Sequence, residues 1–378
     1  MARTIIDIHV LQTVPPSNIN RDDTGSPKTA VYGGHTRARV SSQAWKRATR
    51  DAFPTFLDTN ELGVRTKRVV ELVGDRIAEL DPALAERSAE LAAEVLLAAG
   101  IKTEKPRKKE GLPEAGYLVF LSRRQIDGLA ELAVETAREA GDGKLTFPKQ
   151  EAKARANRDQ SVDVSLFGRM IAEVTDLNVD AAAQVAHALS VHAVDNEYDY
   201  YTAVDDHKKA DAEEDAGAGM IGTVEFNSST LYRYATVDVD RLQDNLGDPE
   251  ATRRAVEAFV RAFVSSMPTG KQNTFANRTL PDAVLVFARD TQPVNFVGAF
   301  EEPVTEREQG GRITAAIRRL ADYGRDVHEA YDQNPVAAWI FGVGERVAPL
   351  TDLAERTTFD KTVDAVGDLV AARLAGQS

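Results

Sequence analysis

The 378-residue chain contains no cysteine. That absence excludes disulfides, thiolate metal sites and a cysteine nucleophile together, and it fits a reducing cytoplasm, the compartment expected here. Long hydrophobic runs are also missing. None approaches the ~18 residues that a membrane span needs, so no membrane partner is expected. The first apolar run, TIIDIHVLQTV, contains Asp7 and His9 and is not read as a signal peptide. No phosphate-binding glycine loop, Ser-His-Asp order or metal-ligand spacing is evident, so no cofactor and no metal are expected. His187 and His192 stand five residues apart, which does not put two imidazoles on one helix face. His9, His35, His207 and His328 are scattered and carry no assigned chemistry.

A further absence is local. The stretch Thr24 to Arg50, TGSPKTAVYGGHTRARVSSQAWKRATR, has no Asp or Glu. It has six basic residues, Lys28, Arg37, Arg39, Lys46, Arg47 and Arg50, in a chain whose formal net charge is −13. A positive patch in an acidic protein points to an anionic ligand on one track rather than to indiscriminate nucleic-acid binding.

The second half of the stretch reads as a helix, with Ser41 or Ser42 able to cap QAWKRATRDAF. At about 100° per residue, Gln43, Lys46, Arg47 and Arg50 share one face, and Trp45, Ala48, Thr49 and Ala52 lie opposite. The helix would bury its tryptophan and turn a row of donors to solvent. Its N-terminus adds free N–H groups and a positive dipole end. Gly33-Gly34 upstream would let the backbone approach a ligand closely. A solvated amphipathic surface helix is the plainer alternative.

At 43% hydrophobic and 28% charged residues the chain fits a soluble globular protein. Its length suggests two to three domains, and no internal repeat is evident. Thr4 to Val14 reads as a central strand ended by Pro15-Pro16, followed by a turn-rich loop, SNINRDDTGSPK. From Phe53 to about Val191 the pattern is mostly helical. It is interrupted by a basic loop (Lys102, Lys105, Arg107, Lys108, Lys109) and a short strand, YLVFL. Lys149, Lys153, Arg155, Arg158 and Arg169 make a second basic region, diluted by Glu151, Asp159 and Asp163. Ala181 to Val194 reads as an alanine-rich helix. Two extended segments, VDNEYDYYTAVDD and Met220 to Asp240, flank the polar tract DHKKADAEEDAGAG and read as a protruding hairpin, or an ordinary hairpin of the main sheet. Beyond lie a helix (Asp248 to Ser266), the loop PTGKQNTFANRTLPD, a strand (Ala283 to Ala288), a helix (Ile313 to Tyr331), a strand (Val336 to Gly342) and a closing helix (Thr358 to Leu374). With residues 55 to 190 set aside, the order β, α, β, α, β suggests an α+β, ferredoxin-like or RRM-like sheet, a fold that commonly presents single-stranded RNA on one face.

With those residues in view, IDIHVLQTVPPSNINRDD followed by AVYGGHTRARVSSQAWKRATR resembles the N-terminal signature of the CasC family, the crRNA-binding backbone subunits of type I-E CRISPR Cascade complexes in the Cas-seven superfamily. LFGRM, VDNEYDYYTAVDD, VEFNSSTLYRYA and PTGKQNTFANRTLPD are similar in the same order, so the resemblance spans nearly the whole chain. It implies an RRM-like palm (residues 1–55 and 226–378, the latter with the C-terminal helices), a helical finger insertion (56–190) and a β-hairpin thumb (191–225). It implies a non-catalytic role in antiviral defence, with copies stacked along the crRNA spacer in a helical filament. Phosphates would be gripped and bases left free to pair with target DNA. The implied partners are crRNA, the paired target DNA, other copies of the chain and other Cascade subunits. The implied RNA contacts are Arg21, Lys28, Ser41, Ser42, Gln43, Lys46, Arg47 and Arg50. Arg169 and Met170 match a Gly-Arg-Met element, and Lys271, Gln272 and Asn273 a backbone-contact loop in which Asn273 stands where other members can have Arg. Val204 would lie toward the thumb tip.

Two alternatives remain at this level. RNA-targeting members of the superfamily use an Asp near the first loop to cut RNA, and Asp22 and Asp23 could help hold Mg²⁺ in a metal-dependent ribonuclease, or could serve only to bond their loop backbone or pair with Arg21. The tyrosine-rich strands could instead belong to a generic single-strand-binding protein.

Overall fold

The structure, a computed structural model, describes residues 3–104, 111–141, 143–171, 174–203, 220–305 and 310–376. The chain divides into two compact units. The first comprises Met1–Ala52, Val185–Thr236 and Phe259–Leu369; the second comprises Phe53–Gln184, Val237–Ala258 and Val370–Ser378. The protein is mixed α/β, with one large mixed sheet and many helices.

Among the described residues, ten strands form that sheet: β1 Ile5–Ser17, β2 Thr29–Tyr32, β3 His35–Val40, β4 Ala183–Val185, β5 Ala188–Ser190, β6 Glu197–Ala203, β7 Met220–Asp238, β8 Ala283–Arg289, β9 Ala337–Gly342 and β10 Glu355–Arg356. The helix α1, Ser42–Ala52, follows β3, and α2, Gly311–Tyr331, follows β8. The strand order is β10-β9-β8-β1-β7-β5-β3-β2, with β4 and β6 also paired to β7. β1 runs antiparallel to β8 from Ile5↔Arg289 to Leu11↔Ala283. Both of its faces are buried from Ile5 to Gln12, as apolar residues on both sides of the strand foretold.

Three local expectations are corrected. The β1 strand does not stop at Pro15-Pro16 but continues to Ser17. Proline's fixed φ is compatible with extended backbone, and only its donor is lost. The alanine-rich segment is not a helix. It forms β4 and β5, and β5 pairs antiparallel with Leu231 and Tyr232 of β7 and with Arg39 and Val40 of β3. Sheet pairing overrides the helix preference of alanine there. Gly33 and Gly34 form the two-residue turn of the β2–β3 hairpin, with φ of 58° and 76°. A Cβ on Gly33 would stand 1.8 Å from the Glu301 carbonyl oxygen, so this pair serves the turn and its packing.

The core of the first unit has two parts. One packs Leu285, Phe287, Phe296, Phe300, Ile317 and Leu320 around β8 and α2. The other packs Val14, Val40, Trp45, Ala188, Leu231 and Met267 beneath α1. A buried polar group completes the first part. Arg289 pairs with Asp7 at 2.8 Å, the Tyr234 hydroxyl donates to Asp7 at 2.8 Å, and Arg289 Nη2 donates to His328 Nε2 at 3.2 Å. His9 stacks on Phe296 at 4.5 Å and meets the Tyr232 hydroxyl at 2.9 Å. Burial pushes the Asp7 carboxyl up and the His9 imidazole well down.

The second unit contains the helices Val69–Leu80, Ser88–Ala98, Arg123–Ala140, Lys149–Asn157 and Val162–Phe167 and the two-stranded pair Gly63–Thr66 with Val119–Ser122. Its core includes Val73, Ile77, Leu91, Val95, Leu129 and Ala133. Ser122 caps the longest of these helices in a reciprocal box with Gln125. The basic residues Lys105, Arg107, Lys108 and Lys109 lie outside the described residues.

The His328 ring gives a pH prediction. Burial first, then Arg289, lowers its pKa from the ordinary 6.5 to about 4. Between those values the unfolded chain takes up the proton first, so stability falls as pH drops through the window. Unfolding free energy measured by urea titration between pH 7 and 5 should fall by on the order of 1 kcal/mol more in the wild type than in His328→Gln. Asp7, raised, and His9, lowered, are present in both proteins, so the difference between them isolates the part that depends on His328. Parallel pH dependences would contradict the assignment.

Candidate nucleic-acid interface

The candidate surface is built on α1. Its N-cap is Ser41, whose Oγ accepts from the Ala44 N–H at 3.2 Å. The Ser41 N–H in turn donates to Asn20 Oδ1 at 2.8 Å. Ser41 is buried and is therefore a cap rather than a ligand contact; Ser42 begins the helix. Trp45 and Thr49 face inward, Gln43 and Arg47 are exposed, and Lys46 and Arg50 are half-buried. Burial lowers the Lys46 pKa. Arg47 meets Asp51, the first acid after the basic stretch, at 3.5 Å. Both side chains are solvent-exposed, so that contact is worth little.

Beneath the helix, the Arg233 guanidinium from β7 lies over the Trp45 ring at 3.7 Å and over Phe263 at 4.6 Å. It donates to Gln12 Oε1 at 2.6 Å and to the Phe263 carbonyl oxygen. Arg233 is 1% exposed, and burial alone draws its pKa down to about 9, so it stays charged at neutral pH.

The basic stretch divides on folding. Arg37 is interior, donating to the carbonyl oxygens of Ser190 and Phe300 at 3.0 Å each and of Glu301 at 2.9 Å. It holds the sheet edge and leaves the patch. Arg39 is half-buried, donates from Nε to Thr29 O at 3.1 Å and reaches His187 Nδ1 at 3.4 Å. Lys28 is half-buried in the loop before β2; its N–H donates to Asn20 O at 3.0 Å and its carbonyl accepts from Arg39 N at 2.9 Å. Asn20 therefore ties the loop to the helix N-terminus through both its backbone and its side chain.

Arg21 is exposed in the same loop. Asp22 Oδ1 accepts from the Thr24 N–H at 2.9 Å, the Thr24 hydroxyl at 2.7 Å and the Ser26 N–H at 3.0 Å. The Thr24 contact contributes most to lowering the pKa of this carboxyl. Among the described residues no group of three His, Cys, Asp or Glu is placed to hold a metal ion.

The loop Lys271–Gln272–Asn273 joins this surface. A Cβ on Gly270 would stand 2.4 Å from the Ile19 carbonyl oxygen and 2.8 Å from that of Asn18, so the two backbones touch. Together Asn20–Gly25 and Gly270 line an open cleft of about 540 Å³. Lys271 adopts a left-handed conformation (φ 51°) at the start of the turn Gln272–Phe275, and Gln272 and Asn273 are exposed.

In the second unit Arg169 is 5% exposed and turned inward. It donates to Leu177 O at 2.6 Å, Phe120 O at 3.1 Å, Gln125 Oε1 at 3.2 Å and Asn157 Oδ1 at 3.0 Å. Burial lowers its pKa to about 10. Expected as an RNA contact, Arg169 instead braces its own turn, because these acceptors enclose the guanidinium. Its neighbour Met170 is 88% exposed. In the first unit β6 and β7 pair antiparallel from Glu197↔Phe226 to Ala203↔Met220, with Tyr198 and Tyr200 exposed. Val204 and the Ala/Gly tract lie outside the described residues.

Sequence reasoning missed His187, Asn20 and the Arg233 seat. Each acts through a partner distant in sequence, and the helix expected over Ala181 to Val194 concealed the place of His187.

The profile of CT1975-like proteins matches residues 6–365. A chain of a "CRISPR RNA-guided surveillance complex, pre-nicking" is similar, with a TM-score of 0.84 and 36% identity over 97% of this chain and 100% of that one. A chain of a "CRISPR RNA-guided surveillance complex" is similar, with a TM-score of 0.73 and 33% identity over 96% of this chain and 99% of that one. No curated protein sequence matches it.

The contact between the two loops is testable. Gly270→Ala should push its Cβ against a backbone carbonyl and cost on the order of 1–3 kcal/mol in thermal or urea unfolding. A variant that unfolds like the wild type would show that the loops are not held together.

Proposed function

The chain belongs to the CT1975-like protein family, and from that premise we propose that it is the CasC-type backbone subunit of a type I-E CRISPR RNA-guided complex, gripping crRNA by its phosphates. The observation that carries this reading is the α1 surface. Gln43 and Arg47 project from a helix locked by its tryptophan, and the helix N-terminus is tied through Asn20 to the loop of Arg21 and Lys28. A phosphate track needs positive charge and donors in a fixed row, and sequence-independent grip follows from contacting phosphates rather than base edges.

In this reading the RNA contacts are Arg21, Lys28, Ser42, Gln43, Lys46, Arg47, Arg50, Lys271, Gln272 and Asn273, with Met170 against a base. The large sheet serves as an RRM-like palm, the helical unit as the finger insertion and the β6–β7 hairpin as the base of the thumb. Copies assemble along the spacer with other subunits and present it to target DNA. The chain is a scaffold, not an enzyme. Asp22 supports that, since its carboxylate is already engaged by Thr24 and Ser26. The absence of cysteine and of any helix long and apolar enough to cross a membrane among the described residues suits a cytoplasmic assembly.

Binding of single-stranded RNA tests this. If one subunit neutralises about four phosphates, log K should fall with log salt at a slope of about −2.8, so a fourfold rise in salt weakens binding roughly fifty-fold. Lys46→Glu with Arg47→Glu should weaken binding and flatten that slope alike for every RNA sequence. Binding indifferent to salt and to both substitutions would overturn the grip. RNA cleavage in Mg²⁺ lost in Asp22→Ala or Asp23→Ala would overturn the scaffold reading.

A further inference from the structure

His187 occupies the short break between β4 and β5, which both pair with β7, beside the first turn of α1. Its Nδ1 lies 3.4 Å from the Ser42 backbone nitrogen and 3.4 Å from Arg39 Nη1. Both neighbours are donors, so Nδ1 is the acceptor and the ring proton sits on Nε2. One lone pair therefore faces two donors, each at the outer limit of a hydrogen bond. The charges facing the ring share one sign. They are Arg39 from β3, Lys28 from the loop before β2, and the positive N-terminal end of α1. Burial, then Arg39, then Lys28, hold the imidazole below its ordinary proton affinity. An incoming phosphate oxygen would be a stronger acceptor for both donors than one shared lone pair. It would also reverse the field that keeps the ring neutral.

We propose that His187 is a proton-linked contact of this surface: a phosphodiester oxygen takes over the Ser42 N–H and Arg39 donors, and the imidazole gains a proton from solvent at Nδ1 and becomes a third donor to it. This rests on the reading of the α1 surface as an RNA grip. The ring changes from acceptor to donor, and the bound state holds one more proton than the free chain and free RNA. Linkage then requires binding to tighten as pH falls through the window between the free and bound pKa values of His187, with log K changing by at most one per pH unit. The difference in pH slope between the wild type and His187→Gln reports on the imidazole and not on the rest of the patch.

The test measures affinity of the full chain for a single-stranded RNA oligomer at constant ionic strength, at about pH 7.5 and about pH 6. The wild type should gain roughly three- to tenfold in affinity at the lower pH relative to His187→Gln, which has no titrating group there. His187→Lys should keep binding strength without the pH dependence. Calorimetry of the wild type near neutral pH, in buffers of different ionisation enthalpy, should show proton uptake on binding; it decides the matter even where a variant folds poorly. Salt-dependent RNA binding with a pH slope unchanged by His187→Gln, or with no proton uptake, overturns this inference alone. Absence of salt-dependent binding by the wild type overturns the RNA grip and this inference with it.

Discussion

The candidate surface depends on one buried contact, the Arg233 guanidinium stacked between Trp45 and Phe263. A desolvated cation over aromatic faces is worth about 2 kcal/mol, and more where water is excluded. Here the cation has no carboxylate within ion-pair distance among the described residues; an amide oxygen and a carbonyl oxygen take its protons. The arrangement is directional as well as stabilising. A helix with its tryptophan fixed over a planar cation cannot rotate about its axis. With 100° between residues, the inward position of Trp45 sets the outward position of Gln43 and Arg47. The neighbouring apolar side chains Val14, Val40, Leu231 and Met267 close the seat.

Electrostatics then follow from placement rather than from composition. The chain is acidic overall, with a formal charge of −13. Its basic residues do not act as one block. Arg37 and Arg169 are drawn into the interior, where carbonyl and amide oxygens surround them. Lys28 and Arg39 remain at the surface beside the N-terminal end of α1, where the helix dipole has the same sign. Local positive potential next to an acidic remainder favours a ligand that tracks one edge and disfavours adsorption elsewhere.

Much of this was legible in the sequence. The two-sided apolar character of β1 and β8, the period-two pattern of β7, the helical spacing of α2, and the division of α1 into a tryptophan face and a polar face were all readable from residue order. What escaped reading depended on pairing between distant segments. The segment around Ala188 has the composition of a helix, and only its register against β3 and β7 makes it a strand. Gly33-Gly34 is compatible in sequence with either ligand approach or a hairpin turn; the turn and the Glu301 carbonyl explain both residues. Arg169 sits in the stretch LFGRM, yet nothing in those residues states that its side chain is enclosed. The burial of a basic residue is decided by which carbonyls the fold brings to it, and that information is not local.

The central claim is that the Arg233 stack holds the basic helix in place. Hydrogen exchange of the α1 amides, compared between the wild type and Arg233→Lys, tests it most directly. Lysine keeps the charge and loses the planar stack. The account predicts that α1 amides exchange markedly faster in the variant while the amides of β1 and β8 keep their protection. Unchanged protection across α1 would contradict it.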